Sequence, residues 1–126
     1  MHDLMIHDYG PGNLFATVHV EFPAETPVIE AHEVMDEIER DFQKQEHMIL
    51  TIHYDPIVEE SEEVAEIRTF VSQAAKELDE RLSIHEVRLV PGKESSNVIF
   101  DCVKPAGFKS SDGEISSYLQ KRVAEW

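Results

Sequence analysis

The chain has 126 residues, enough for one domain of ordinary size or two small half-domains. Apolar residues make up 41% and charged residues 29%, which is the balance of a folded globular protein, and no apolar run approaches the ~18–20 residues of a membrane span. The 26 acidic against 11 basic residues leave a formal charge of −15, a field that concentrates cations, repels anionic lipid and argues against nucleic acid as a partner.

The start, Met1-His2-Asp3, has neither the basic region nor the apolar stretch of a signal peptide. Cys102 is the lone cysteine, so no disulfide framework or thiolate zinc site forms within one chain. A reducing, cytoplasmic setting is the expectation.

Residues 3–22 predict a hairpin. Gly10-Pro11-Gly12-Asn13 supplies the turn, and Leu14, Ala16, Val18, Val20 and Phe22 then alternate with Phe15, Thr17, His19 and Glu21. Thr26 is placed to cap a helix with Pro27 at its first position, and Val28, Ala31, Met35, Ile38 and Phe42 give it one apolar stripe. Met48 to Tyr54 predicts a strand with Leu50, Ile52 and Tyr54 on the core side and Thr51, His53 and Asp55 opposite, ended by Pro56.

A second helix opens in Glu59–Glu63, where acidic groups suit the helix N-terminus, and its stripe runs Val64, Ile67, Val71, Ala74, Leu78, Leu82. Strands follow at Ile84–Val90 and Asn97–Val103, separated by a Pro91-Gly92-Lys93 turn. Ser111 and Glu114 form a capping box for a last helix reaching about Val123.

The second half echoes the first. His85-Glu86-Val87 parallels His2-Asp3-Leu4 with a one-residue gap, and Val98 to Pro105 aligns with Ala16 to Pro23, which puts Asp101 where His19 stands. The order of elements is ββαβ followed by a related αββα half, an α+β sandwich with helices on one face of a sheet.

Imidazole and carboxylate together suit a borderline divalent ion such as zinc. His53 and Asp55 lie two apart on one strand, ~7 Å along it, and share the non-core face with His19. Equally, these are ordinary polar residues of an exposed sheet face. His32 lies at the edge of its helix stripe, where a surface role is the plainer reading. Strict alternation puts His2 on the core side with Leu4 and Ile6, unless a bulge intervenes. His7, His47 and His85 have no partner at a persuasive spacing. Ser95, Ser96 and His85 offer only a weak case for a metal-dependent or other hydrolase.

His2-Asp3-Leu4, Tyr9-Gly10-Pro11-Gly12, Val18-His19-Val20-Glu21, Glu30-Ala31-His32 and Ile52-His53-Tyr54-Asp55-Pro56, in this order, resemble the C-terminal cytoplasmic domain of cation diffusion facilitator transporters. The resemblance covers residues 2–57. Residues 58–126 look like the extension carried by some bacterial members, through Ile84-His85-Glu86-Val87-Arg88 and Asn97-Val98-Ile99-Phe100-Asp101.

The resemblance implies a ferredoxin-like (metallochaperone-like) αββαβ fold and a homodimer. It also implies a divalent-cation site at the dimer interface on His2, His19, His32, His53 and Asp55, with His32 reaching across from the partner subunit. The family's transmembrane part and the helix preceding His2 are not in this sequence, and the helix at 60–82 is a candidate to take that helix's place.

Residues 1–57 are thus read as a dimerisation and metal-binding domain and 58–126 as a related ferredoxin-like extension. The expected function is that of a non-enzymatic cytosolic regulatory domain of a cation efflux transporter, with zinc the favoured metal. A free-standing cytosolic metal buffer or small-ligand sensor is the main alternative.

Overall fold

Strand β1 (His2–Asp8) turns through residues 9–13 into β2 (Leu14–Pro23), and the turn closes with Tyr9 N–H donating to Asn13 O at 3.0 Å and Asn13 N–H to Gly10 O at 2.9 Å. Gly10 at φ 110° and Gly12 at φ 75° occupy backbone conformations that a side chain would oppose, so the glycines of this motif are required by the turn. Helix α1 (Val28–Glu46) then carries the chain back to β3 (Met48–Ile57), which pairs parallel to β2. This is a β–α–β crossover with the two parallel strands adjacent, and it gives a three-stranded sheet of order β1-β2-β3.

Pro27 itself is the N-cap residue of α1, which has no side-chain cap; Thr26 instead donates its backbone N–H to Pro23 O, closing the connecting turn. The cap expected at Thr26 is therefore one residue off. The strand also continues past Pro56 to Ile57, because β3 is an edge strand and an edge tolerates a residue with no N–H to donate.

The core of this segment is small. Ala16, Val18 and Leu50 are buried, with Val20, Ile38, Met48 and Ile52 packed against them. Of the α1 stripe only Ala31 is fully buried, while Val28 and Phe42 remain exposed, as do Ile29 and Val34 beside them. Ile6, the register partner of buried Ala16, is also exposed, as are Leu4 and Met5.

Helix α2 (Glu62–Leu78) is capped by Ser61, whose Oγ accepts from Val64 N–H at 3.1 Å. Its buried side chains Val64, Ile67 and Val71 pack with Val87 and Leu89 of β4 (Ser83–Val90). Leu78 ends the helix, so Leu82, expected in the same stripe, is buried from the following turn. Strand β5 (Asn97–Val103) pairs antiparallel with β4, and Ser111 caps α3 (Asp112–Ala124) by accepting from Glu114 N–H at 3.2 Å. Val58 adds a one-residue bridge to Leu89, with hydrogen bonds of 2.8 and 2.9 Å.

The structure, a computed structural model, describes all of residues 1–126, and they form two compact units, Met1–Ile57 and Val58–Trp126. The fold is mixed α+β in the order β1-β2-α1-β3, then α2-β4-β5-α3. It contains two sheets, where the sequence reading had one, because β4 and β5 hydrogen-bond only with each other as strands. Helix α2 contributes its stripe to the core over β4 and so belongs to the second unit.

The hairpins of the two units share one irregularity. His2 pairs with His19 and Met5 with Thr17, so β1 spends one more residue than β2 over that interval. His85 pairs with Asp101 and Arg88 with Ile99, giving β4 the same extra residue relative to β5. Asp3 and Glu86, each directly after its histidine, both sit at φ 52°. A single inserted residue in this conformation is a β-bulge, and it reverses the facing of everything before it.

Candidate metal centre

The bulge at Asp3 decides the position of His2. Simple alternation would leave His2 on the side of Ile6, whereas the extra residue turns it to the opposite face, in register with His19. The parallel register places His53 opposite His19 in turn, so His2, His19 and His53 form one row across all three strands. Their rings follow the strand spacing: the centroids lie 4.8 Å apart for His2 and His19 and 4.5 Å apart for His19 and His53. Glu21 and Asp55 pair in the neighbouring row of the same face.

Asp55 lies beneath the imidazoles. Its Oδ2 is 2.9 Å from His19 Nδ1 and 3.4 Å from His2 Nε2, and its Oδ1 is 3.2 Å from His53 Nε2. The sequence reading puts Asp55 on a solvent-facing sheet surface, yet it is only 6% exposed. Three imidazoles crowded over one carboxylate make that face a shallow covered site.

His2, His19 and Asp55 each offer one ligand atom, and these atoms all lie within 4.8 Å of one another. A tetrahedral ion with bonds of about 2.0–2.2 Å separates its donors by roughly 3.3–3.6 Å. The 3.4 Å between His2 Nε2 and Asp55 Oδ2 falls in that range, and the 2.9 Å from His19 is a direct hydrogen bond. The donor set fits a divalent transition metal, and the two nitrogens with one oxygen suit zinc.

Of the five residues singled out from sequence, His2, His19, His53 and Asp55 are brought together. His53 is the outermost: its side chain is 67% exposed, and it faces the other carboxylate oxygen. His32 is exposed on α1 and stands apart from the group around Asp55. Exposed Val28 and Ile29 lie one helical turn before it.

Glu21 enters the site without having been assigned a role. Its side chain is 11% exposed, its Oε1 is 3.6 Å from His2 Nδ1, and its Oε2 is 3.3 Å from the Met1 amino group. The signal was its position two residues after His19, on the same strand face.

The second unit repeats the bulged hairpin but not the site. His85 and Asp101 occupy the places of His2 and His19, while Val103 aligns with Glu21. β5 has only β4 as a neighbour in its sheet, so nothing corresponds to the strand that supplies His53 and Asp55. His85 Nε2 pairs with Ser83 Oγ at 2.9 Å. Ser95 and Ser96 line a groove with Glu63, Lys93 and Trp126, and His85 is not among its walls. The hydrolase grouping of Ser95, Ser96 and His85 is therefore not assembled.

Residues 1–57 match a family model described as cation efflux protein, cytoplasmic domain. The first unit is similar to that family. The match ends at residue 57, where the first compact unit ends, so the similarity covers β1-β2-α1-β3. No match was found among curated proteins or among solved structures. No helix is long and apolar enough to cross a membrane.

Proposed function

We propose that the chain is the cytoplasmic regulatory part of a cation efflux transporter, which binds a divalent metal, homodimerises and couples metal level to transport. The observation that carries this reading is the convergence of His2, His19 and Asp55 donor atoms within 4.8 Å on a segment that matches the cation efflux cytoplasmic family. Residues 1–57 are then the dimerisation and metal-binding domain, and 58–126 a related extension without its own metal site. The role is binding, with no catalysis.

Zinc is the proposed ligand, held by His2, His19 and Asp55, with His53 beside them and His32 contributed by the partner subunit. Exposed Val28 and Ile29 next to His32 support α1 as part of the dimer surface, since apolar side chains grouped on a surface favour association. The regulatory mechanism is linkage: if the cation binds a closed dimer better than an open one, its arrival shifts the population toward closure. In the intact transporter that closure passes to a membrane-embedded part, which places this domain on the cytoplasmic side.

The test combines zinc calorimetry with sedimentation of the wild type and an Asp55→Ala variant. The proposal requires zinc binding that Asp55→Ala removes and a zinc-dependent change in assembly or shape. Zinc binding with no such change leaves a passive cytosolic buffer. Equal zinc affinity in both proteins removes the site.

A further inference from the structure

The ring of His2 lies between two carboxylates. Its Nε2 is 3.4 Å from Asp55 Oδ2 and its Nδ1 is 3.6 Å from Glu21 Oε1, and the two acidic side chains are only 8% and 11% exposed. Glu21 and Asp55 are also direct partners in the β2–β3 register. Like charges directly opposite one another weaken a sheet; the Met1 amino group, 3.3 Å from Glu21 Oε2, offsets one side of this pair, and the His2 ring stands between its members. His2 Nδ1 is buried and has no hydrogen-bond partner in the present geometry. A buried polar nitrogen left in that state is costly, and Glu21 supplies an acceptor beside it.

We infer that Glu21 is a positioning residue of the metal centre, which accepts the Nδ1–H of His2 and thereby reserves Nε2 for the cation. The inference rests on the cation-binding reading given above. A neutral imidazole carries one N–H and one lone pair, and an acceptor at one nitrogen selects the tautomer whose lone pair is on the other. The 3.6 Å separation exceeds a charge-assisted hydrogen bond of about 2.7–2.9 Å by less than 1 Å, which a small rotation of the ring or the carboxylate closes. A carboxylate so placed also fixes the orientation of the ring.

His19 gives the inference a specific signature. Its Nδ1 faces Asp55 Oδ2, so the nitrogen turned toward the shared oxygen is the opposite one from that of His2. The metal-loaded protein should therefore hold His2 as the Nδ1–H tautomer and His19 as the Nε2–H tautomer.

The experiment uses the full chain and zinc, with wild type, Glu21→Gln, Glu21→Ala and His2→Ala. Zinc affinity is measured by calorimetry and imidazole tautomers by long-range proton–nitrogen NMR. Loss of an outer-shell partner of this kind weakens metal binding ~10–100-fold, and Glu21→Ala should fall in that range. Glu21→Gln keeps an acceptor oxygen and the side-chain size, so it should recover part of the affinity and retain the His2 tautomer with a shifted Nδ1–H resonance. A residue acting only through packing would leave that resonance unmoved in the isosteric variant, which keeps the test decisive even if Glu21→Ala folds poorly.

Zinc affinity of both Glu21 variants within about twofold of wild type, against the range above, overturns the inference. So does an unmoved His2 resonance in Glu21→Gln. If His2→Ala also binds as tightly as wild type, the metal centre itself is misassigned; if His2→Ala loses zinc while both Glu21 variants keep it, only the role of Glu21 falls.

Discussion

His19 reaches Asp55 diagonally: its Nδ1 is 2.9 Å from Asp55 Oδ2, although its register partner on β3 is His53 and that of Asp55 is Glu21. The diagonal makes one carboxylate oxygen common to His19 and His2, leaving the other to His53. The four side chains are therefore unequal.

That inequality predicts a ranked loss of zinc affinity. His2→Ala and His19→Ala each remove a donor aimed at the shared oxygen, and should weaken zinc by more than the ~10–100-fold typical of an outer-shell change. His53→Ala removes a mostly exposed ring beside the other oxygen and should cost less than either. Isothermal titration of the three variants gives the order, and a larger loss for His53→Ala than for His2→Ala contradicts it.

Assembly is predicted to depend on His32 separately from binding. Two chains at −15 repel one another, within a screening length of about 8 Å at physiological salt, and a bound divalent cation reduces that repulsion. His32→Ala, on the exposed surface of α1, should retain zinc binding on each chain and lose most of the zinc-induced tightening of the dimer. Sedimentation at several protein concentrations, with and without zinc, measures it. An unchanged response in His32→Ala argues against its donation across the interface.

The second unit should add no metal equivalent. His85 and Asp101 reproduce only the first two positions of the histidine row, and His85 is held by Ser83 Oγ at 2.9 Å. Zinc stoichiometry should be the same in wild type and His85→Ala by metal analysis of the purified protein. A loss of one equivalent per chain assigns the second unit a site of its own.

Cys102 sets a pH dependence in the alkaline range. Burial among the partly covered side chains over α3 pushes its thiol above the ordinary value of 9.0. A folded-state value above the unfolded one means that this contribution to stability is complete below the unfolded value and is lost as pH rises through the folded one. The unfolding midpoint should therefore fall above about pH 9 in wild type more than in Cys102→Ser, and thiol alkylation should be slower in the native protein than in urea. Equal alkylation rates in the two states refute the burial argument.

Period-two alternation was enough to assign Ala16, Val18 and Leu50 to the core and His19 and His53 to the other face, because residues in a strand point where parity sends them. The capping box of Ser111 and Glu114 was equally readable, being a contact three residues apart. What alternation cannot give is a left-handed residue such as Asp3, since an aspartate carries no obligation to adopt φ 52°. His2 was assigned to the metal centre through the family resemblance, and its geometry depends on that bulge. The burial of Asp55 was hidden for another reason: it follows from rings on three strands closing over it, and strand register between separate segments is not written in either segment alone. The same limit let one sheet be expected where the chain builds two.

The bulge at Asp3 has a consequence for how this chain tolerates change. Its side chain contributes little, since Asp3 is exposed and its approach to His2 is a loose 3.9 Å. The left-handed backbone, and not any contact of the side chain, limits what the position accepts: glycine or asparagine would ease it and a β-branched residue would oppose it. Loss of the residue would remove the bulge and leave His2 two positions before Met5, still in register with His19, whereas a straightened strand that keeps Asp3 would turn His2 to the opposite face. The left-handed backbone at Asp3 is therefore what keeps the histidine row complete in a segment of this length, and Glu86 holds the same conformation in the second hairpin. A residue that resists a left-handed backbone at position 3 favours the straight strand, in which His2 faces away from His19.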